Sequence, residues 1–531
     1  MMRKLSLIGL LSVSWFMAGC GERASHYQRS GPEVYHTPTV TEALDVAVDE
    51  GGLEAGDRFN TEAYDRIYEN PFLAARSNPL STFSIDVDTA SYSNVRRFLN
   101  RGQLPPPDAV RIEELVNYFT YDYPAPDGEA PFSAHVEVAG CPWNAEHRLA
   151  RIGLKGKDVA QEERGVCNLV FLIDVSGSMN PPNKLPLLKS AMKMLVQNLA
   201  EQDRVAIVVY AGAAGMVLPS TSCQEKEAIL AALDRLQAGG STNGGQGIRL
   251  AYQTAREHFV SDGVNRVILC TDGDFNVGTT SQGELIRLVE EKAKEGVFLS
   301  VLGFGMGNYK DSTLEKLANK GNGNYAYIDT IHEARKVLVE QMHGTLITIA
   351  KDVKIQVDFN PAQVGAYRLI GYENRLLRAE DFHDDKKDAG EIGAGHTVTA
   401  LYELVPAGKE MNLPLADASK YHETGGPSTA AASGELFTIK LRYKHPQEDT
   451  SELLSFPVSD AGKSLAEASG DFQFAAAVAG LGMLLRDSEH KGTASYDLVL
   501  ELAAAGLGSD AGGYRAEFLQ LAGIAKSLRG D

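Results

Sequence analysis

The feature that most constrains the fold is a regular alternation of apolar strand patterns and helix patterns across residues 165–350. It opens at 168–174, where the sequence Leu-Val-Phe-Leu-Ile is apolar without interruption. A strand of this kind is buried on both faces, as in a parallel sheet. The other strand patterns lie at 205–210, 266–270, 297–303 and 325–328. The alternation predicts an α/β fold built on a doubly wound, mostly parallel sheet.

Helix patterns separate these strands. They lie at 185–199, 226–236, 247–259, 284–295, 312–318 and 332–341. In doubly wound sheets, ligands bind in the crevice outside the carboxyl ends of the strands. Polar residues that directly follow an apolar strand are therefore the first candidates for function.

The first candidate is the segment Asp174-Val175-Ser176-Gly177-Ser178, which begins where the apolar run ends. One carboxylate and two hydroxyls, each two residues apart, can offer hard oxygen ligands from a single turn. Mg²⁺ suits such a set, because it prefers oxygen ligands in octahedral geometry and keeps several waters. Gly177 lets the backbone bend between the two serines.

The second candidate is the glycine-rich loop 239–245, Gly-Gly-Ser-Thr-Asn-Gly-Gly, which opens a helix and contains Ser241 and Thr242. A phosphate-binding loop is the competing interpretation. However, no lysine follows the glycines, and the loop comes after a helix rather than after a strand. The loop therefore does not fit a phosphate site.

The third candidate follows the apolar strand at 266–270 and contains two aspartates. Asp272, Asp274 and Asn276 match the first three ligand positions of a calcium-binding EF-hand loop. That motif then requires a glycine where Val277 stands and a glutamate where Gly283 stands. The EF-hand interpretation therefore fails at two positions.

Together the three segments resemble the metal-ion-dependent adhesion site of von Willebrand factor A domains, whose pattern is D-x-S-x-S, then Thr, then Asp. The resemblance covers residues 165–350 and implies a divalent cation, with Mg²⁺ expected and Mn²⁺ or Ca²⁺ as alternatives. It also implies an open coordination position for an acidic side chain of a protein partner. The implied metal-site residues are Asp174, Ser176, Ser178, Thr242 and Asp272.

Two neighbours complete this assignment. Ser241 is the alternative to Thr242 as the hydroxyl ligand, and Asp274 is a candidate for an outer hydrogen bond to the site. A relic site that stabilises the loops without binding a partner stays an open alternative, because the chemistry of a site does not prove its use.

The first residues predict a signal peptide. Arg3 and Lys4 precede an apolar run at 5–16 that is too short to span a bilayer. The following Met17-Ala18-Gly19-Cys20 resembles the lipobox of bacterial lipoproteins, although Met17 stands where that family usually has leucine. The resemblance implies removal of residues 1–19 and acylation of Cys20.

Acylation at Cys20 would anchor the protein to a membrane, because two or three acyl chains bind firmly where one binds marginally. In Gram-negative lipoproteins, the absence of aspartate directly after the cysteine implies sorting to the outer membrane, and Gly21 stands there. We therefore expect an extracytoplasmic protein at the outer membrane, facing the periplasm. An ordinary secretory signal with an incidental cysteine is the alternative.

The rest of the chain divides by pattern. Residues 20–75 are polar and dotted with Gly and Pro, which predicts a flexible tether. Residues 76–160 predict a small α+β module, and residues 351–531 a β-rich region followed by helices. The segments 83–92 and 111–119 resemble a flanking module of bacterial A-domain proteins that also carry a C-terminal domain of unknown function.

The net charge argues against one class of partner, and the cysteine positions argue against one disulfide. With 51 basic and 70 acidic residues the net charge is −19, which argues against a nucleic-acid partner. Cys141, Cys167, Cys223 and Cys270 remain after processing. If Asp174 and Asp272 are level, Cys167 and Cys270 are five residues apart along their strands, roughly 16 Å. A bridge between them is then excluded, and both should be buried apolar residues.

The sequence thus predicts a membrane-anchored, metal-dependent protein-binding module rather than an enzyme. The metal-site segments contain oxygen ligands and no nucleophile or general base beside them. Two alternatives stay open: a metal-assisted hydrolase whose base comes from another domain, and a structural envelope lipoprotein with a vestigial metal site.

Overall fold

The computed structural model describes residues 62–530, except 161–163, 241–243, 274–281, 307–309, 410, 412 and 414–427. The predicted signal peptide and the predicted acylation site Cys20 lie outside these residues. The described residues belong to one compact unit. Within the predicted tether 20–75, Leu73 and Ala74 form a strand that pairs with Tyr367 and Ala366, so the tether ends before them. None of the helices in the described ranges has both the length and the apolar character needed to cross a membrane.

The strands of the described ranges are β1 (Leu73–Ala74), β2 (Leu80–Ser84), β3 (Phe132–Gly140), β4 (Arg148–Gly156), β5 (Cys167–Asp174), β6 (Arg204–Tyr210), β7 (Ala214–Ser222), β8 (Val264–Thr271), β9 (Phe298–Phe304), β10 (Tyr325–Ile328), β11 (Thr348–Phe359), β12 (Val364–Ile370), β13 (Leu376–Leu377), β14 (Gly390–Gly393), β15 (Thr397–Pro406), β16 (Phe437–Lys444) and β17 (Glu452–Val458).

The helices are α1 (Ala90–Leu99), α2 (Ile112–Asn117), α3 (Leu185–Asn198), α4 (Lys226–Asp234), α5 (Gly244–Glu257), α6 (Gln282–Lys294), α7 (Asp311–Lys320), α8 (Ile331–Arg335), α9 (Met342–Leu346), α10 (Gly470–Arg486), α11 (Tyr496–Ala505) and α12 (Tyr514–Arg529). A π-helix, Lys336–Glu340, continues directly from α8.

The central sheet has the strand order β10-β9-β8-β5-β6-β7. Every neighbouring pair is parallel except β6 and β7. Helices α3, α4 and α8 cover one face, where Leu188, Ile229 and Ala334 share a core, and α5, α6 and α7 cover the other face. The predicted doubly wound, mostly parallel sheet is confirmed.

Two elements were not predicted from the sequence, strand β7 and helix α1. Strand β7 lies at the sheet edge and contains Pro219, which cannot donate to a strand ladder and is tolerated only at such an edge. Helix α1 buries polar side chains as well as apolar ones, and apolar spacing in the sequence does not predict the burial of the polar ones. For example, the Ser91 hydroxyl donates to the carbonyl of Ala109 inside the protein.

The segments before and after the central sheet are interleaved in space. One sheet has the order β1-β12-β15-β4-β3, and the other has the order β13-β2-β11-β16-β17 with β14 beside β11. We call residues 165–350, which contain the central sheet, the central domain. Strand β4 pairs with β15, which follows this domain in the chain, and β2 pairs with β11. The two predicted flanking regions, 76–160 and 351–531, are separated in the chain by the central domain but share sheets and core residues.

Helices of both segments also share one core. Phe119, which follows α2, packs edge-on against Phe474 of α10 and Phe518 of α12. All three rings are buried. The central domain is therefore an insertion into a body that its two neighbours build together.

Buried ion pairs join the central domain to this body. The Arg96 guanidinium of α1 lies 2.5 Å from Asp329, 2.7 Å from Glu333 and 3.1 Å from Glu517. Asp329 and Glu333 belong to the central domain, whereas Glu517 lies on α12. Arg111 makes a similar buried pair with Asp311 at the start of α7.

We expect the substitution Arg96→Met to lower the free energy of unfolding by roughly 3–5 kcal/mol, because it leaves buried carboxylates without their counter-ion. Urea denaturation measures the effect. The matched control is Lys193→Met, which breaks the more exposed pair of Lys193 with Asp234 and should cost under about 1 kcal/mol. Equal costs for the two variants would contradict the assigned role of Arg96.

Candidate metal site

The first predicted segment forms a tight turn at the carboxyl end of β5. Asp174 is the last residue of that strand and is completely buried. Its Oδ1 accepts a hydrogen bond of 2.8 Å from the Ser176 amide. The hydroxyl oxygens of Ser176 and Ser178 are 2.9 Å apart. The turn thus holds one carboxylate and two hydroxyls together.

The second predicted segment is attached to this turn through its backbone. The Gly239 amide donates to the Val175 carbonyl at 2.7 Å, and the Gly177 amide donates to the Gly240 carbonyl at 3.1 Å. Gly240 has φ +86°, a conformation that favours glycine. The predicted ligand Thr242 and its alternative Ser241 follow immediately in the chain and lie outside the described residues.

The third predicted segment reaches the same place from the neighbouring strand. Ile173 is level with Cys270, so Asp174 is level with Thr271 and one residue short of Asp272. The Thr271 hydroxyl is 3.5 Å from Asp174 Oδ2. Asp272 is completely buried. Asp274, predicted to make an outer hydrogen bond, lies outside the described residues.

The register of β5 and β8 also sets the distance between Cys167 and Cys270. Cys167 and Cys270 are six residues apart along their strands, one more than expected from level aspartates. Both are free and completely buried, which confirms that they are unbridged apolar residues. Cys141 and Cys223 are also free and buried.

A buried lysine, Lys184, forms an ion pair with Asp272 that the sequence did not predict. Lys184, directly before α3, donates from Nζ to Asp272 Oδ2 at 2.8 Å. Gly305 has φ +77°, and a Cβ there would lie 2.2 Å from Lys184 Cε. The glycine therefore leaves the space that the lysine side chain crosses. The only local signal is a charged residue at the start of an apolar helix.

The electrostatics of the turn favour a cation. Burial, together with the nearby Asp272 carboxylate, raises the pKa of Asp174 to about 6. A positive charge beside Asp174 would relieve both effects. The donors consist of carboxylates and hydroxyls, which are hard oxygen ligands of the kind that Mg²⁺ prefers. The described residues of the site therefore fit a divalent cation.

No competing metal site is present elsewhere in the described ranges. Among these residues, no group of three or more His, Cys, Asp or Glu side chains is placed to hold a metal ion. The hydroxyl-rich turn at the end of β5 is thus the candidate that the described residues offer.

We expect Lys184→Met to lower the free energy of unfolding of the metal-free protein by about 3 kcal/mol, because Asp272 loses a buried partner. The same change should strengthen Mg²⁺ binding about tenfold, since no ammonium group then competes with the cation for Asp272. Calorimetry and thermal unfolding, with and without Mg²⁺, measure both effects.

The control for this experiment is Lys189→Met, one turn further along α3. The Lys189 ammonium donates to the carbonyls of Asp234 and Leu236, away from the site. It should leave Mg²⁺ affinity unchanged. Weaker Mg²⁺ binding in Lys184→Met would show that Lys184 supports the cation rather than competing with it.

Comparison with known protein families identifies three regions. Residues 168–341 match the family model "von Willebrand factor type A domain". Residues 58–151 match "von Willebrand factor", and residues 344–528 match "Uncharacterized protein YfbK, C-terminal". The resemblance predicted for the central domain is therefore confirmed, and both flanking regions match family models.

Among curated proteins, the chain is 46% identical over 475 residues to the uncharacterized protein YfbK of Escherichia coli (strain K12). The match covers 88% of this chain and 82% of that protein. The uncharacterized protein sll0103 of Synechocystis is 30% identical over 196 residues, which is 37% of this chain and 45% of that protein.

Among solved structures, a von Willebrand factor type A protein from Catenulispora acidiphila aligns with a TM-score of 0.39 and 16% identity. The alignment covers 75% of this chain and 91% of that one.

Proposed function

This chain belongs to the family of the Escherichia coli protein YfbK, whose central part is a von Willebrand factor A domain, and from that premise we propose that it binds a divalent cation, foremost Mg²⁺, and through it a protein partner. The proposed ligand set is Asp174, Ser176, Ser178, Thr242 and Asp272.

One observation supports this proposal above the others: two adjacent parallel strands end in buried carboxylates beside a pair of hydroxyls. Asp174 is the last residue of β5, Asp272 directly follows β8, and the serine hydroxyls are 2.9 Å apart. The loop that leads to Thr242 is hydrogen-bonded to the same turn. When bound, the cation would supply a Lewis-acidic centre with a coordination position for a carboxylate of the partner.

This chain's own residues would have distinct tasks. The Ser176 amide orients the Asp174 carboxylate, and Lys184 partly neutralises Asp272. That neutralisation would limit the affinity for the cation and allow the site to release it. The proposed activity is binding rather than catalysis, since the described residues of the turn offer oxygen ligands for a cation.

The proposal includes a location at a membrane. Acylated Cys20 would hold the protein at the outer membrane, and the polar segment between Cys20 and Glu62 would separate the folded body from the lipid. The support is the sequence Met17-Ala18-Gly19-Cys20 directly after an apolar run. The metal site would then face partners of the cell envelope.

We expect Asp174→Ala to abolish Mg²⁺ and Mn²⁺ binding in calorimetry and to remove a Mg²⁺-dependent partner from a pull-down with envelope extract. Asp174 would be both a ligand and the anchor of the turn. The control is Ser190→Ala, whose exposed hydroxyl on α3 bonds to the Pro186 carbonyl.

The outcomes separate the possible roles. Unchanged metal binding in Asp174→Ala would refute the site. Lost metal binding and lower stability, with the same proteins captured as by the wild type, would identify a structural metal site instead of a binding module.

We expect Cys20→Ser to abolish incorporation of radiolabelled palmitate and to release the protein from the membrane fraction into the soluble extracytoplasmic fraction. The thiol is the acylation point, and a hydroxyl cannot replace it in lipoprotein processing. Palmitate incorporation that persists in Cys20→Ser would refute the proposed anchor.

A further inference from the structure

A cavity of about 1200 Å³ lies between the flanking body and the end of the central domain. The segment after α2, strand β3, the π-helix that follows α8 and the start of α12 all contribute to its wall. None of the described metal-site residues lines it. The volume exceeds that of a typical small-molecule pocket, so the cavity can hold a longer ligand.

Strand β3 brings an open sheet edge into this cavity. It is the last strand of its sheet and pairs with β4. The Pro131 carbonyl accepts a hydrogen bond from the Lys157 backbone amide, and the Cys141 amide donates to the His147 backbone carbonyl. The main-chain groups of odd-numbered residues in β3 therefore point toward β4. The Gly140 amide instead donates outward, to Lys463. The alternation of antiparallel pairing therefore directs even-numbered residues away from β4.

Val136 is the even-numbered residue of β3 that lines the cavity. Its amide and carbonyl make no main-chain hydrogen bond outward to the described part of the chain. Unpaired strand-edge groups of this kind accept another extended chain, whose main chain then continues the sheet.

An arginine beside this edge requires an acceptor. Arg151 of β4 lines the cavity, is 8% exposed and donates from Nη2 to Glu137 at 3.2 Å. Its Nη1 is buried and has no hydrogen-bond partner among the described residues. The guanidinium also lies over the rings of Tyr121 and Tyr123. A buried guanidinium with an unused donor is costly unless an acceptor arrives.

Four of the five acidic side chains in the wall, those of Glu137, Glu340, Asp471 and Asp510, already accept hydrogen bonds. Glu137 accepts from the Ser469 amide at 2.9 Å and from the Lys463 ammonium at 3.2 Å. Asp471 accepts from Arg515 at 2.6 Å and from the Asp122 amide at 2.7 Å. Nη1 of the Arg151 guanidinium in this wall therefore lacks a hydrogen-bond acceptor within the described part of the chain, and an anionic ligand would supply one.

We propose that this groove binds an extended, acidic peptide segment of a partner protein, whose main chain adds to β3 and whose carboxylate meets Arg151. The edge of β3 selects an extended main chain, and Arg151 selects an acidic side chain at one register. A carboxylate on a guanidinium is a charge-assisted pair and is stronger than a bond between neutral groups. This site is independent of the metal site, because it needs no cation.

The experiment uses the full chain without added metal and two arrays of immobilised hexapeptides. Each peptide alternates valine and threonine. One array carries a single glutamate at each position in turn, and the other carries glutamine at the same positions. The wild type should bind at least one glutamate peptide about tenfold more tightly than its glutamine counterpart.

Two variants test the two contacts. Val136→Pro removes the outward amide without removing a bond to β4, and should weaken peptide binding about tenfold. Leu453→Pro is the matched control, since Leu453 lies on the edge strand β17, which already contains Pro457 in the same alternation. Arg151→Met should remove the preference for glutamate, whereas Arg148→Met, outside the cavity wall, should keep it.

Hydrogen exchange on the wild type tests the main-chain contact even if a variant does not fold. The bound peptide should slow exchange of the Ala134 and Val136 amides. The proposal is overturned if no array peptide binds, if glutamate and glutamine peptides bind equally, or if those two amides exchange at the same rate with and without the peptide.

Discussion

The candidate metal site depends on the position of β5, which is buried on both faces and paired along both of its edges. All eight residues of the strand are buried, and it lies between β8 and β6 in the middle of the central sheet. A strand with no exposed side cannot change its register without exposing apolar side chains and breaking two ladders. Asp174 is consequently held at one point, and the turn with Ser176 and Ser178 starts from it.

The central domain is held by charge as well as by apolar packing. Arg96 and Arg111 reach from the flanking body to carboxylates of the central domain, and these groups are buried. A buried guanidinium tolerates very few orientations, because each displaced carboxylate leaves an uncompensated charge in a medium of low polarity. The ion pairs therefore specify how the inserted domain is oriented against a body whose strands pair across it.

The two proposed binding places recognise acidic groups by different physics. The metal site would attract a carboxylate through a cation, so its strength would depend on the metal and on Lys184. The groove would combine main-chain pairing at β3 with a carboxylate on Arg151, and would not depend on metal. A partner with two acidic segments could engage both, and linking two contacts in one partner raises the overall affinity without any new contact.

The sequence by itself determined the fold class of the central domain and the segments of its candidate metal site. Both depend on local patterns: apolar runs of strand length, helical spacing between them, and oxygen-bearing side chains where a run ends. The edge strand β7 was not predicted, because it contains a proline that only an edge strand tolerates. Helix α1 was not predicted either, because its buried polar groups bond to residues far along the chain.

Only the tertiary structure decided the pairing of β2 and β4 with strands beyond residue 340, the one-residue offset between Asp174 and Asp272, and the contact of Lys184 with Asp272. It also decided the open edge of β3 beside Arg151. The physical reason is common to all of these. A pattern in the sequence shows which groups must be buried or paired, whereas the identity of the partner depends on how distant segments pack.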